Sequence, residues 1–261
     1  IEGTNFTGSL LVGHSTTGTI SSASNNTGIG IGALDALTSG DGNVALGYNT
    51  GTVVTEGSNN TLLGYNAGSS LTTGGSNIAI GNSALAAEDT HGTNIAIGSD
   101  ALKVQDAGAN AYNVAIGYNA GKSVSTGANN NIIGGLAGDA LTTGSQNIVI
   151  GRQALTTEDT GSRNIAIGDR ALFDANYDGN GYNVAIGHDA GDDISTGVQN
   201  TVIGGNAAKA NITTGSNNIV IGYNADASAA DVSNEVTIGN SSIANVRIPS
   251  DSTLKIGASG D

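Results

Sequence analysis

The chain has 261 residues but no Trp, Met or Cys, and aromatic residues make up only 3% of it, which excludes a thick globular core, a disulfide framework and thiol chemistry. Net charge is −14, and the eight Lys and Arg are scattered singly, so the basic stripe that nucleic acid or an anionic membrane surface requires is absent. Neither a nucleic-acid partner nor membrane insertion is expected.

The 42 Gly and single Pro give a low-complexity look, yet 38% hydrophobic content with regularly placed Val and Ile is not the pattern of disorder. No apolar run approaches the length of a membrane helix. The sequence runs from Ile1 to Asp261 without a leader-like segment or a closing motif, and a piece of a longer protein is expected.

Taken in chain order, residues 1–25 form a degenerate first rung or cap, in which Leu10, Leu11 and Val12 precede Gly13. Residues 26–239 are a tandem repeat. Asn, two or three apolar residues and Gly recur as Asn26 to Gly30, Asn43 to Gly47 and Asn60 to Gly64. The same motif continues through Asn77 to Gly81, Asn94 to Gly98, Asn113 to Gly117, Asn130 to Gly134, Asn147 to Gly151, Asn164 to Gly168 and Asn183 to Gly187, and ends at Gly239. The period is 17 residues, stretched to 19 between Gly98 and Gly117 and between Gly168 and Gly187, and to 18 between Gly204 and Gly222. Such a period means a solenoid.

A second apolar position lies ten residues before the Gly, as Leu37, Val54, Leu71, Val124, Leu141, Ile194 and Ile212. One rung therefore reads as two short strands joined by two turns. Ile78, Ala79 and Ile80 alternate, so the two isoleucines face one way and the alanine the other. The expectation is that the large pair fills the rung and the small residue marks a close approach from outside. Gly81 and Gly74 read as turn residues with positive φ, and Asn at a fixed corner can bond neighbouring backbone and its own stacked copies. A helical alternative fails on the Gly, Asn, Ser and Thr content.

Residues 77–146 align with 147–217 at more than half of positions, so the chain has grown by copying four-rung blocks. Residues 240–261, where Pro249 intrudes and Leu254, Ile256 and Gly257 make an imperfect rung, are a C-terminal cap or a transition to a further domain. Hydrophobic burial per rung is small against the entropy of ordering 17 residues, so burial against other copies is expected, with a lone solenoid as the alternative. The column Ala45, Ala79, Ala96, Ala115, Ala166 and Ala185 is the expected contact with other copies.

Asn113-Val-Ala-Ile-Gly117-Tyr-Asn-Ala-Gly121 and Leu71-Thr-Thr-Gly-Gly-Ser-Asn-Ile-Ala-Ile-Gly81 resemble the repeats of bacteriophage tail-fibre proteins, many of which end in a self-cleaving trimerisation chaperone. Asn234-Glu-Val-Thr-Ile-Gly-Asn-Ser-Ser242 is similar to the segment that often precedes that chaperone. The motif is also similar to the Asn-Ser-Val-Ala-Ile-Gly repeat in head domains of trimeric autotransporter adhesins, which form a left-handed parallel β-roll. In this chain the Ser is missing and the rung is longer.

These resemblances imply an all-β, left-handed, homotrimeric parallel β-solenoid. They imply the shaft of a virion tail fibre, extracellular and contributing to host attachment, with other fibre or virion proteins and a host surface receptor as partners. The alternative is the head or stalk of a trimeric adhesin on a bacterial surface. Receptor binding through lateral loops is left open.

No catalytic residues are assigned, and no cofactor beyond calcium. Gly117-Tyr-Asn-Ala-Gly121-Lys122-Ser123 is one residue short of a phosphate loop and reads as a turn. His14, His91 and His188 occupy different repeat positions and read as surface decoration. Glu88/Asp89 and Glu158/Asp159 recur at matching positions, but neighbours on a rung point to opposite faces, which argues against a paired-carboxylate glycosidase. Asp174, Asn176, Asp178 and Asn180 space oxygen ligands like the first half of a calcium loop, with no Glu to complete it. The alternatives there are a calcium site and an ordinary Asn/Asp/Gly turn.

Overall fold

The computed structural model describes residues 8–13, 22–210 and 212–245. His14, Pro249, Leu254 and the rest of the C-terminal cap lie outside them. Fourteen three-residue strands, β1 (Leu10–Val12) to β14 (Val236–Ile238), form one parallel sheet in sequence order, making the chain a β-solenoid. Each residue pairs with its own repeat homologue. Between β5 (Ile78–Ile80) and β6 (Ile95–Ile97), Ile78 faces Ile95, Ala79 faces Ala96 and Ile80 faces Ile97. The register holds across a 19-residue rung too, where β6 meets β7 (Val114–Ile116) with Ala96 on Ala115.

The two-strand rung is corrected. Among the described residues each rung carries one strand, and its second apolar residue sits in a turning segment that still bonds rung to rung, as in Thr38 N to Thr55 O (3.0 Å) and Thr55 N to Thr72 O (2.9 Å). The strand stops after three residues because Gly follows at φ near 136° (Gly81), a conformation that disfavours any side chain. A Cβ there would also lie 2.4 Å from the carbonyl oxygen of Gly98 one rung on. Gly74 is small for a different reason than expected. Its φ is not positive, but a Cβ would stand 2.1 Å from the His91 carbonyl oxygen. The positive-φ positions include non-glycine residues, with Leu85, Leu102, Leu155 and Leu172 held near 50° and fully buried.

The facing of the strand is the reverse of expectation. Ala79 is fully buried and points into the rung, while Ile78 and Ile80 stand half-buried on the outside. The whole alanine column, Ala45 to Ala185, is interior and cannot be a contact between chains. A rung this narrow has no room for two large residues on the strand. It takes one strand side chain plus one from the turn four residues past the Gly, and in several rungs the two trade volume. Ala79 pairs with Leu85 and Ala96 with Leu102, whereas Leu62 pairs with Gly68 and Ile132 with Gly138. A Cβ at Gly68 would meet Leu62 Cδ2 at 2.9 Å, so adding volume on one side is strained unless it is removed on the other.

An asparagine ladder forms the second interior wall, and all twelve residues from Asn26 to Asn218 are fully buried. Each Oδ1 accepts the backbone N–H of the Asn one rung on, as Asn130 Oδ1 does from Asn147 N (3.0 Å). Each Nδ2 in a 17-residue rung donates to a carbonyl 14 residues ahead, as Asn130 does to Gly144 (2.9 Å). The ladder starts on Ser9 Oγ and ends on Glu235 N. Buried amides persist only when so satisfied, and the fixed corner Asn is therefore dictated by hydrogen bonding, not by turn preference alone.

Candidate functional site

Two features stand apart from the repeating scaffold. The first is the outer face of the sheet. The residue just before the Gly is aliphatic in all fourteen strands, running Val12, Ile29, Leu46, Leu63, Ile80, Ile97 and on to Ile238, and none is buried. The first strand position is less uniform, being Thr or Asn at Thr27, Thr61, Asn131 and Thr201. Exposure reaches 47% at Leu46 and 63% at Ile238. Outward aliphatics are thus kept more strictly than the inward residue, which varies from Gly28 to Ile132. At about 4.8 Å per rung, thirteen steps carry the column over about 62 Å. Beside it Tyr48 and Tyr65 stack with ring centroids 5.4 Å apart.

The second feature is the pair of 19-residue rungs, each built next to a buried carboxylate. Glu88 and Glu158 occupy the interior position where Leu71 and Leu141 sit in ordinary rungs, and both are fully buried. Burial pushes each carboxyl above the usual range, against the opposing pull of backbone N–H donors. In the first block the long rung accounts for the substitution. The carbonyl that should receive the ladder amides of Asn94 and Asn164 would come from residues 108 and 178, which swing out in the bulges where Gly108 and Gly179 have open space around them. Asn94 Nδ2 instead reaches Glu88 Oε2 at 3.5 Å, and Asn164 Nδ2 turns to Asn147 Oδ1 at 3.0 Å.

The two buried carboxylates are closed differently. Glu158 accepts from Gly161 N (2.7 Å), Thr160 N (3.2 Å) and Tyr177 N (3.3 Å), and the Tyr177 ring is buried beside it with its hydroxyl on Asn164 Oδ1. Glu88 accepts from His91 N at 3.1 Å, and the residue matching Tyr177 is Ala107. At this corner Glu88, Asp89, His91 and Asp106 each offer one ligand atom, all within 4.8 Å of one another. His91 Nδ1 lies 3.6 Å from Glu88 Oε1. His91 is therefore more than surface decoration. Spacing hid the cluster because Asp106 arrives from the following rung.

Asp174, Asn176, Asp178 and Asn180 all stand exposed on the second bulge, alternating with buried Ala175 and Tyr177. Asp178 Oδ1 is bonded to Thr160 Oγ1 at 3.2 Å, and the backbone of 174 and 176 bonds to the next rung at Asp192 and Ser195. His188 meets Asp169 and Asp189, but that group is neutralised from within: Arg152 pairs with Asp169 at 2.8 Å, and Arg170 and Lys209 both pair with Asp189. Lys122 lies in a turn whose N–H bonds Asn119 O, as the sequence indicated. Glu88 and Glu158 are buried in the rung, and the expectation that Glu88 and Asp89 point to opposite faces is corrected, since a carboxylate oxygen of each comes within 4.8 Å of the other. Comparison with protein-family models, curated proteins and solved structures finds no match.

Proposed function

We propose that this chain is the non-catalytic shaft of a homotrimeric fibre, of the kind that carries host attachment in bacteriophage tails. The observation that carries the reading is the outward aliphatic column kept in every one of fourteen strands. An exposed apolar strip about 62 Å long is not what a monomeric surface maintains, and a partner matching it must itself repeat every 4.8 Å or so. Another copy of the same chain meets that condition in register. The resemblance of Asn113-Val-Ala-Ile-Gly117 to tail-fibre repeats supports three copies and a virion setting.

Light scattering on the purified chain should give three times 25.5 kDa. Replacing Ile116, Ile150 and Ile186 together by Ser should release folded monomers. Replacing Ile95 by Thr, the residue three other rungs carry in that column, should not. A wild-type chain that stays monomeric at micromolar concentration would sink the oligomer. Immunogold labelling should decorate virions, and label on bacterial surfaces instead would favour the adhesin reading.

A further inference from the structure

We propose that Glu88, Asp89, His91 and Asp106 form a zinc-class divalent cation site, built where the first of the two long rungs meets the rung before it. Three carboxylates and one imidazole converge within 4.8 Å, and the ion pairs among the described residues place no Lys or Arg on any of the three acids. An oxygen set with one imidazole suits zinc better than a hard cation alone. Tetrahedral zinc, with bonds of about 2.0–2.2 Å, asks for roughly 3.3–3.6 Å between ligand atoms. The Glu88 to His91 separation of 3.6 Å meets this already. Asp106 supplies the remaining closure from the exposed bulge, which Asn110 Oδ1 ties back to Gly92 N beside His91 at 3.0 Å.

The second block is an internal control that points the same way. Its copy of the carboxylate is sealed by three backbone N–H groups and the Tyr177 ring, and it has Gly161 and Asn176 where the first block has His91 and Asp106. In the first block Ala107 stands in place of that tyrosine, and the buried Gln105 takes the interior space instead, accepting from Asn113 Nδ2, so Glu88 is just as buried but has only the His91 N–H as a close backbone donor. Two changes at one corner, His91 for Gly161 and Asp106 for Asn176, each add a ligand atom beside the same buried carboxylate, which fits a bound cation better than drift.

Calorimetry on the untagged full chain with Zn2+ alone should show one ion per chain. His91→Gly and Asp106→Asn install the residues that the second block already folds with, and each should weaken uptake at least about tenfold. His188→Ala should bind as wild type does, and Co2+ should give a visible ligand-field band that His91→Gly abolishes. No uptake by the wild type, equal uptake by both variants, or displacement of the zinc by a hundredfold excess of Ca2+ would overturn the proposal. None of these outcomes depends on the oligomeric state, so the site and the fibre reading stand or fall separately.

Discussion

The two four-rung blocks, 77–146 and 147–217, are near copies with the same strand register and the same pair of long and short rungs, and they differ most where the long rung begins. In the second block a buried carboxylate is consumed by structure: three N–H donors and a tyrosine close it. In the first it is left with one strong donor, a histidine and two further acids. The scaffold tolerates both, because register is set by the Asn ladder and the strand, while the bulge lies outside them. A duplicated rung can thus vary at this corner while the strand register is kept.

Deleting residues 77–146 tests this most severely. Ser76 joins Asn147, Asn60 Oδ1 receives the N–H of Asn147 in place of Asn77, and four rungs vanish. Electron microscopy should show a shaft shorter by roughly 19 Å and still folded, because a solenoid is a sum of rungs that contact their neighbours. Zinc uptake should vanish with the block. Deleting nine residues inside it should instead break the match of inward and outward columns, and a variant that melts like the wild type would refute the 17-residue unit.

Plugging and unplugging come next. Tyr177→Ala removes the ring that seals Glu158 and should cost about 3–5 kcal/mol, read from denaturant unfolding. A loss under about 1 kcal/mol would mean that the ring does not seal Glu158. Away from either long rung, Asn130→Ala orphans Asn147 N and Gly144 O and should cost about 2–3 kcal/mol. An equal loss at a surface residue such as Asn131 would deny the ladder its role.

The smallest effect is on pH dependence. Burial raises the folded-state pKa of Glu158 above its ordinary 4.5, so the unfolded chain ionises first as pH rises. Stability should be greatest below that value and decline as pH rises through the folded pKa. Glu158→Gln should reduce the slope, and the double variant with Glu88→Gln should reduce it further, seen as melting temperatures that converge between mildly acid and neutral pH. A slope unchanged in the double variant would place its origin elsewhere, for example at Asp192, whose carboxyl burial also raises.

The sequence by itself determined the period, the parallel stack, the corner Asn ladder and the outward bulges. All of these follow from spacing, and spacing survives without coordinates. Which way each strand faces was decided only by the tertiary structure. Alternation separates Ile78 and Ile80 from Ala79 but carries no label for inside, and the choice rests on volume: Leu85, delivered by the turn at a left-handed φ, fills the space that two isoleucines would have claimed. The interior role of Glu88 and the meeting of His91 with Asp106 were likewise invisible. They bring together residues 15 apart across the rung boundary, and only the closed turn of the solenoid makes them neighbours.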